Sequence, residues 1–553
     1  MLFVRGSHAD AHREIAQSVL LRAPSTPRIV LERLYNTGDY FAGIAWNGTS
    51  LAIAVDHVAS IPLFVQRSSN TDSKKPSWKI FDSVCSTDLP ETVVAEPEQI
   101  AWLLLTSHCS NRNTLSNDIK AVGAGEMLLI GHSETTWKVE SQVEFRREPH
   151  HSVKGIGNSS WTPELSVAED QIRSKLDSLH QAGQLAIPLS GGFDSRYVAA
   201  LCRLNEHDNV VAFSYGNISS HEARRSRRVA AALGITWEFV EYTNSKWLEV
   251  TATEEYRHFW SSGGNYSVLP HMQDWLAIRE LRERGVLEDG ATVLPGHSGD
   301  FLAGSWLPSY VFGTPHRTGK QITDLLERQH LRRSPAFRRL DKSSKTLMRR
   351  ELGRGLAPNA NYTPEDVVAH LHLYLWKNRI SKYLMASLRG YEQFGLSWWL
   401  PLWSPALMTH WQQAPLPSLR EQHAWRQMVD GRYALVSGGK PDAAQEASRI
   451  HLRKFAGRGT VQNARMMLRL GLQRYPIARF VWRPQGQGSL RRFSPEARGR
   501  ASRVGISHPN QIAAFAWVHD HLGPQALASA LDGHWGQNVR PRPDWLVIDE
   551  GSL

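Results

Sequence analysis

The stretch Gln184 to Leu204, QLAIPLSGGFDSRYVAALCRL, decides the fold. A short apolar run, Leu185 to Leu189, meets a Gly pair and then a series of helix formers, which predicts strand, tight turn and helix in succession. A second unit follows: VVAFSY (Val210 to Tyr215) predicts a buried strand, HEARRSRRVAAALG (His221 to Gly234) a helix with a Gly stop, and WEFVEY (Trp237 to Tyr242) another strand. Apolar positions at helical spacing from Leu165 to Leu179 lead into the first unit. A third unit comprises a helix from Asp274 to Arg284, the strand ATVLPG (Ala291 to Gly296) and the turn HSGD. Strands alternating with helices imply a parallel sheet with crossover helices. From about Thr318 the pattern becomes mainly helical.

Upstream the pattern changes. In DYFAGIAWNGTSLAIAVDHVASIPLFVQ, Asp39 to Gln66, β-branched and aromatic residues fall in short runs around Asn47-Gly48, a hairpin signature. WKIF (Trp78 to Phe81) and EMLLIG (Glu126 to Gly131) are also strand-like, so a small α+β domain is expected over residues 1–155. The polar, turn-rich REPHHSVKGIGNSSWTPE then serves as linker to a second domain, 160–553. A chain of 553 residues accommodates two such domains at roughly 100 to 200 residues each. With 41% apolar and 21% charged residues it is neither disordered throughout nor fibrous.

The net charge of +11 is regional: Arg449 to Arg503 holds 14 Lys or Arg against one acid, Glu496, a local +13, so the remainder carries −2. Three cysteines, Cys85, Cys109 and Cys202, lie at no metal or redox spacing. With no apolar run of signal-peptide or membrane-spanning kind, the expected location is the cytoplasm.

The residues that carry chemistry are Ser190-Gly191-Gly192-Phe193-Asp194-Ser195. Two glycines let backbone approach an anion, and the amides at the helix start point at it. The Ser190 and Ser195 hydroxyls add donors, and Asp194 can hold the magnesium that accompanies a polyphosphate. The spacing is not that of a Walker A loop.

This hexapeptide resembles the pyrophosphate-binding loop of the ATP-pyrophosphatase superfamily, and the flanking sequence narrows the resemblance to asparagine synthetase-like proteins. The resemblance implies an Ntn-type, class II glutaminase-like domain followed by an α/β adenine-nucleotide alpha-hydrolase-like domain that adenylates a carboxylate. FSYGN (Phe213 to Asn217), with Ser214 and then Glu222, resembles the family's nucleotide-contacting turn and the helix after it. LPGHSGDFLAG (Leu294 to Gly304) resembles its second acidic loop, which brings Gly296 to the nucleotide and makes Asp300 the partner of Asp194 on magnesium. YEQFGLSWWLPLWSP (Tyr391 to Pro405) resembles the segment near the substrate, making Glu392 a candidate catalytic carboxylate. Asp56 and Pro62-Leu63-Phe64 resemble core strands of the glutaminase domain.

The departures from the family pattern matter equally. A class II glutaminase uses a cysteine directly after the initiator methionine, since the free amine serves as local base. Position 2 here is Leu2, so loss of glutamine hydrolysis is expected, with nitrogen coming from ammonia, a partner glutaminase or a substrate amine. In the second loop His297 replaces the first acid, where it can orient an acyl-adenylate or accept a proton from the amine. The family's lysine falls near Gln422-His423-Ala424-Trp425-Arg426, where no lysine occurs, leaving Arg420 or Arg426 to supply charge.

The resemblance therefore implies an ATP- and Mg2+-dependent, AMP-forming amide ligase. GHSGDFLAGS with SGGFDSR is similar to proteins of bacterial surface-polysaccharide clusters, implying amidation of a uronic acid. Lasso-peptide-type cyclization and asparagine synthesis are the alternatives among enzymes. A non-catalytic nucleotide-binding scaffold is the alternative outside them. The Arg449 to Arg503 stretch reads as a helical region with solvated arginines, or as a peripheral contact with the inner face of an anionic membrane; no stable nucleic acid partner is expected.

Overall fold

The computed structural model describes residues 2–6, 27–35, 37–68, 77–84, 95–131, 136–142, 165–313, 316–332, 334–438, 501, 509–531 and 546–548. Cys85, the linker from 143 to 164 and, except for Ala501, the basic stretch from Arg449 to Arg503 lie outside the described residues.

The N-terminal part is an α+β arrangement. Strands β1 (Leu2–Gly6), β2 (Phe41–Trp46) and β3 (Ser50–Val55) form a sheet with β7 (Glu126–Gly131) and β8 (Trp137–Ser141), each neighbouring pair antiparallel. A second, three-stranded sheet has the order β5-β4-β6, with β4 at Phe64–Ser68, β5 at Ser77–Phe81 and β6 at Ile119–Ala121. The expected hairpin is β2–β3, with Trp46 opposite Leu51. Asn47 closes its turn by accepting the N–H groups of Thr49 and Ser50 at 3.1 and 2.9 Å, and Gly48 takes φ +98. Alternation along β3 sends Ala52 and Ala54 to one apolar cluster, covered by the helix Pro27–Tyr35, and Ile53 and Val55 to the main core on the other face.

The second part is built on a parallel sheet in the order β11-β10-β9-β12-β15. Its members are β9 (Leu185–Pro188), β10 (Val210–Gly216), β11 (Thr236–Glu241), β12 (Thr292–Val293) and, after the short antiparallel pair β13 (Arg317–Thr318) and β14 (Asn361–Tyr362), β15 (Ser397–Trp398). Leu185, Ala186 and Ile187 are fully buried, as expected where crossover helices cover both faces. The strand expected over Ala291 to Gly296 narrows to β12: the Leu294 N–H still reaches the Ala186 carbonyl, and Pro295 then ends the ladder. The chain leaves β9 toward β10 and β11, then returns on the other side of β9 as β12. Order thus reverses between β9 and β12, and the crevice beyond their carboxyl ends is where such sheets bind ligands.

The two parts share one continuous core. Tyr40 donates to the Leu400 carbonyl at 2.8 Å and Trp376 to the His57 carbonyl at 2.7 Å, stitching N-terminal strands to the helical region. Two C-terminal elements that the sequence assigns to the second domain pack on the first. The helix Pro509–Leu531 lies along the helix Pro97–Thr106, with Gln511 donating to the Leu105 carbonyl at 3.0 Å, and β16 (Leu546–Ile548) pairs with β8 in parallel. Among the described residues, no helix is long and apolar enough to cross a membrane.

Candidate active site

The loop after β9 is shaped by its own small residues. Gly191 has φ +72, and a Cβ there would sit 2.8 Å from Arg225 Cγ and 2.9 Å from the Ser226 amide, so only glycine fits so close to the next helix. The Ser190 N–H donates to Ser195 Oγ at 3.2 Å, the two hydroxyls lie 3.2 Å apart, and the Gly192 N–H donates to Ser190 Oγ at 3.1 Å. Arg196 donates to the Gly191 carbonyl at 3.0 Å, with its guanidinium over the rings of Phe193 and Tyr433. The helix Phe193–Leu204 starts with no side-chain cap, which leaves first-turn amides for an anion.

The loop after β12 meets this helix start. A Cβ on Gly296 would lie 2.7 Å from the Ser195 amide, and one on Gly299 would fall inside 3.0 Å of the Asp194 carboxylate. The close approach of the two loops therefore requires glycine at 296 and 299. The contact brings Asp194 and Asp300 together: the Asp300 N–H donates to Asp194 Oδ2 at 2.9 Å. Two side chains from about 120 and 230 residues away complete the cluster. Trp425 Nε1–H donates to Asp194 Oδ1 at 2.9 Å, and Gln422 Nε2–H donates to Asp300 Oδ1 at 3.0 Å. Gln422 reaches Asp300 from a left-handed backbone, φ +60, next to Glu421 at φ +53, while Ser298 in the facing loop has φ +76. Three non-glycine residues held in this region, at roughly 1 to 3 kcal/mol each, mark a site whose geometry the surrounding packing enforces.

Burial pushes the Asp194 carboxyl up to about 8, and the Asp300 charge adds to the effect. Each Asp194 oxygen accepts one hydrogen bond and keeps lone-pair capacity. No group of three or more His, Cys, Asp or Glu that could hold a metal occurs among the described residues. Two hard-oxygen carboxylates beside a phosphate-binding loop match the sparse protein ligand set of magnesium, whose remaining positions are filled by phosphates and water. The residues present thus fit that ion.

The other expected site residues fall into three places. Ser214, at the end of β10, is buried beneath the loop; its hydroxyl donates to the Leu189 carbonyl and lies 2.6 Å from Ser226 Oγ. His297 lies in the second loop, where burial lowers its pKa against the opposing charge of Asp274, and its Nδ1 has no hydrogen-bond partner among the described residues. Asp274 in turn accepts the phenols of Tyr215 and Tyr391 at 2.6 and 2.5 Å. Glu392 is elsewhere: it precedes β15, at the amino end of the parallel sheet, whereas Asp194 and Asp300 follow the carboxyl ends of β9 and β12. There Glu392 pairs with Arg389 at 2.9 Å and Arg5 at 3.6 Å and accepts from Trp398 Nε1 at 3.0 Å, sharing no described partner with the two aspartates. Of the two candidate cations, Arg426 lies 5.3 Å over the Phe193 ring and Arg420 is exposed. Trp425 and Gln422 are the site residues that sequence reasoning missed, although both fall in the segment expected to carry the family's lysine.

Residues 172–456, just over half of the 553, match the asparagine synthase family. No curated protein matches the chain.

Proposed function

The chain belongs to the asparagine synthase family of ATP-dependent amide-bond ligases, and from that premise we propose that it adenylates a carboxylate and passes the acyl group to ammonia or an amine. The observation that carries the proposal is the Asp194–Asp300 contact at the uncapped helix start, at the point where strand order reverses.

In the first step a carboxylate oxygen of the substrate bonds to the α-phosphorus of ATP, and the bond from that phosphorus to the bridging oxygen breaks, releasing pyrophosphate. Ser190, Ser195 and the first-turn amides hold the leaving group. Asp194 and Asp300 would hold magnesium, which supplies charge neutralisation on the phosphates when bound. In the second step the nitrogen attacks the acyl carbon, AMP leaves with the C–O electron pair, and the nitrogen loses a proton. In this reading His297, whose neutral form is favoured by burial, accepts it. Trp425 and Gln422 act as positioning residues, fixing the two carboxylates from outside the loops.

The N-terminal part, residues 1–155, is in this reading a glutaminase-like domain that no longer hydrolyses glutamine. Cys109, its one described cysteine, supports this: it is fully buried, and burial pushes the thiol up to about 12, unsuited to a nucleophile. Nitrogen then comes from free ammonia, a separate glutaminase or an amine on the substrate. For the carboxylate, we propose a uronic acid of a surface glycan, on the resemblance of GHSGDFLAGS. The test is ATP–pyrophosphate exchange with Mg2+ across uronic acids, aspartate and acidic peptides, on the wild type and Asp194→Asn. Exchange with uronic acids, lost in the variant, is expected. Exchange with peptides or aspartate alone reassigns the substrate, and no exchange with any class, while ATP still binds, favours a non-catalytic nucleotide-binding protein.

A further inference from the structure

A cavity of about 150 Å³ opens between the N-terminal strands and the helical region, and none of its lining residues belongs to the two loops of the candidate active site. A ten-residue π-helical segment, Leu375–Leu384, forms part of its wall and presents Lys377, Asn378, Ser381 and Lys382 to it. Such wide turns are uncommon and recur at functional sites. Most of the lining is apolar, with Phe64 and Val122 from one part and Leu352 and Leu373 from the other.

The cavity's charge is unbalanced. Five cationic side chains line it: Arg112, Arg354, Lys377, Lys382 and Arg389. Two acids oppose them. Glu126 is shared by Arg112 at 2.5 Å and Lys377 at 3.0 Å, and Glu351 pairs with Arg354 at 3.1 Å. Arg389 pairs with Glu392, yet its Nε–H is buried with no acceptor among the described residues. Lys382 donates to the Cys109 carbonyl at 2.9 Å and has no carboxylate within ion-pair distance among the described residues. Lys382 is half-buried, and burial brings its pKa down to about 8, outweighing Glu351 and Glu126, which it feels only at longer range; an anion entering the cavity and meeting the ammonium directly would offset that desolvation.

We infer that this inter-domain cavity is a binding site for a small monocarboxylic acid with an apolar body, its carboxylate on Lys382 and its body against the leucine wall. A space of this size takes roughly a benzene-sized group, so acids such as hexanoate and benzoate match it. Because Asn111 and Arg112 come from one part and the π-helical segment from the other, the bound acid bridges both.

The test is titration calorimetry and thermal unfolding of the full chain with hexanoate and benzoate, against hexanamide and benzamide as neutral counterparts. The acids bind and raise the melting temperature, and the amides do not. Lys382→Met weakens the acids by at least about tenfold, Lys382→Arg retains them, and Leu373→Phe, which fills the cavity with the lysine in place, also weakens them. Asp194→Asn binds the acids as wild type does, which separates this site from the adenylation chemistry. Absence of binding by either acid, equal binding of acid and amide, or unchanged affinity in both Lys382→Met and Leu373→Phe overturns the inference.

Discussion

Replacing Glu126 by Gln tests how the two parts of the chain are held together. Glu126 on β7 is 1% exposed and accepts from Arg112 Nε and Nη2 at 2.5 and 2.7 Å and from Lys377 Nζ at 3.0 Å, so one N-terminal carboxylate anchors a lysine of the helical region. Burial by itself would raise this carboxyl; the Arg112 and Lys377 charges and hydrogen bonds overcome it and bring the pKa from 4.5 down to about 2. At about 1.4 kcal/mol per pH unit that separation is worth about 3 kcal/mol. Because the folded pKa lies below the unfolded one, the unfolded chain takes up the proton first. The contribution is complete above pH 4.5 and is lost as pH falls through about 2. Glu126→Gln removes it and leaves two enclosed cations without their carboxylate, for a loss of about 3 to 5 kcal/mol at pH 7. Urea unfolding at pH 7 and pH 3 measures the difference, which narrows at the lower pH because the wild type is then losing the same interaction. A change below about 0.5 kcal/mol at pH 7, the size expected of a surface substitution, or a difference that does not respond to pH, refutes the reasoning.

Three further outcomes follow from the active-site geometry. Gly299→Ala places a methyl group against the Asp194 carboxylate and is expected to lower ATP–pyrophosphate exchange by about two orders of magnitude, with an unchanged circular dichroism spectrum. Trp425→Phe keeps a ring against Tyr197 and Trp411 but loses the hydrogen bond to Asp194; it is expected to lower kcat by about 10- to 150-fold, the equivalent of about 1.5 to 3 kcal/mol for a bond to a carboxylate that a bound cation keeps ionised, with KM for ATP little changed in steady-state assays. Added Mg2+ is expected to raise the melting temperature of the wild type and not that of Asp194→Asn, as read by differential scanning calorimetry.

What the sequence discloses here is local chemistry. The strand, Gly-Gly turn and helix from Gln184 to Leu204 were readable because glycines, serines and a buried apolar run sit side by side in the chain. The pairing of Asp194 with Asp300 came from resemblance, and its physical basis, glycines at 296 and 299 that let backbone touch backbone, emerges only when the loops are seen together. Trp425 and Gln422 were hidden because their partners lie 231 and 122 residues away, and an indole or amide carries no periodic signal of its role. Glu392 shows a related limit: a carboxylate near a strand looks the same in sequence whether it precedes or follows it, and only the parallel register places it at the amino end. The return of β16 to the N-terminal sheet escaped notice because a three-residue strand is too short to show alternation.

The central claim, that a carboxylate is activated by transfer to the α-phosphorus, is tested most directly by isotope. The carboxylate substrate identified by exchange is labelled with 18O in both oxygens and turned over with ATP, Mg2+ and ammonium, and the AMP and any inorganic phosphate are examined by mass spectrometry. Adenylation predicts one 18O atom in each AMP and pyrophosphate free of label. Label in inorganic phosphate alongside ADP, or AMP formed without label, contradicts the account.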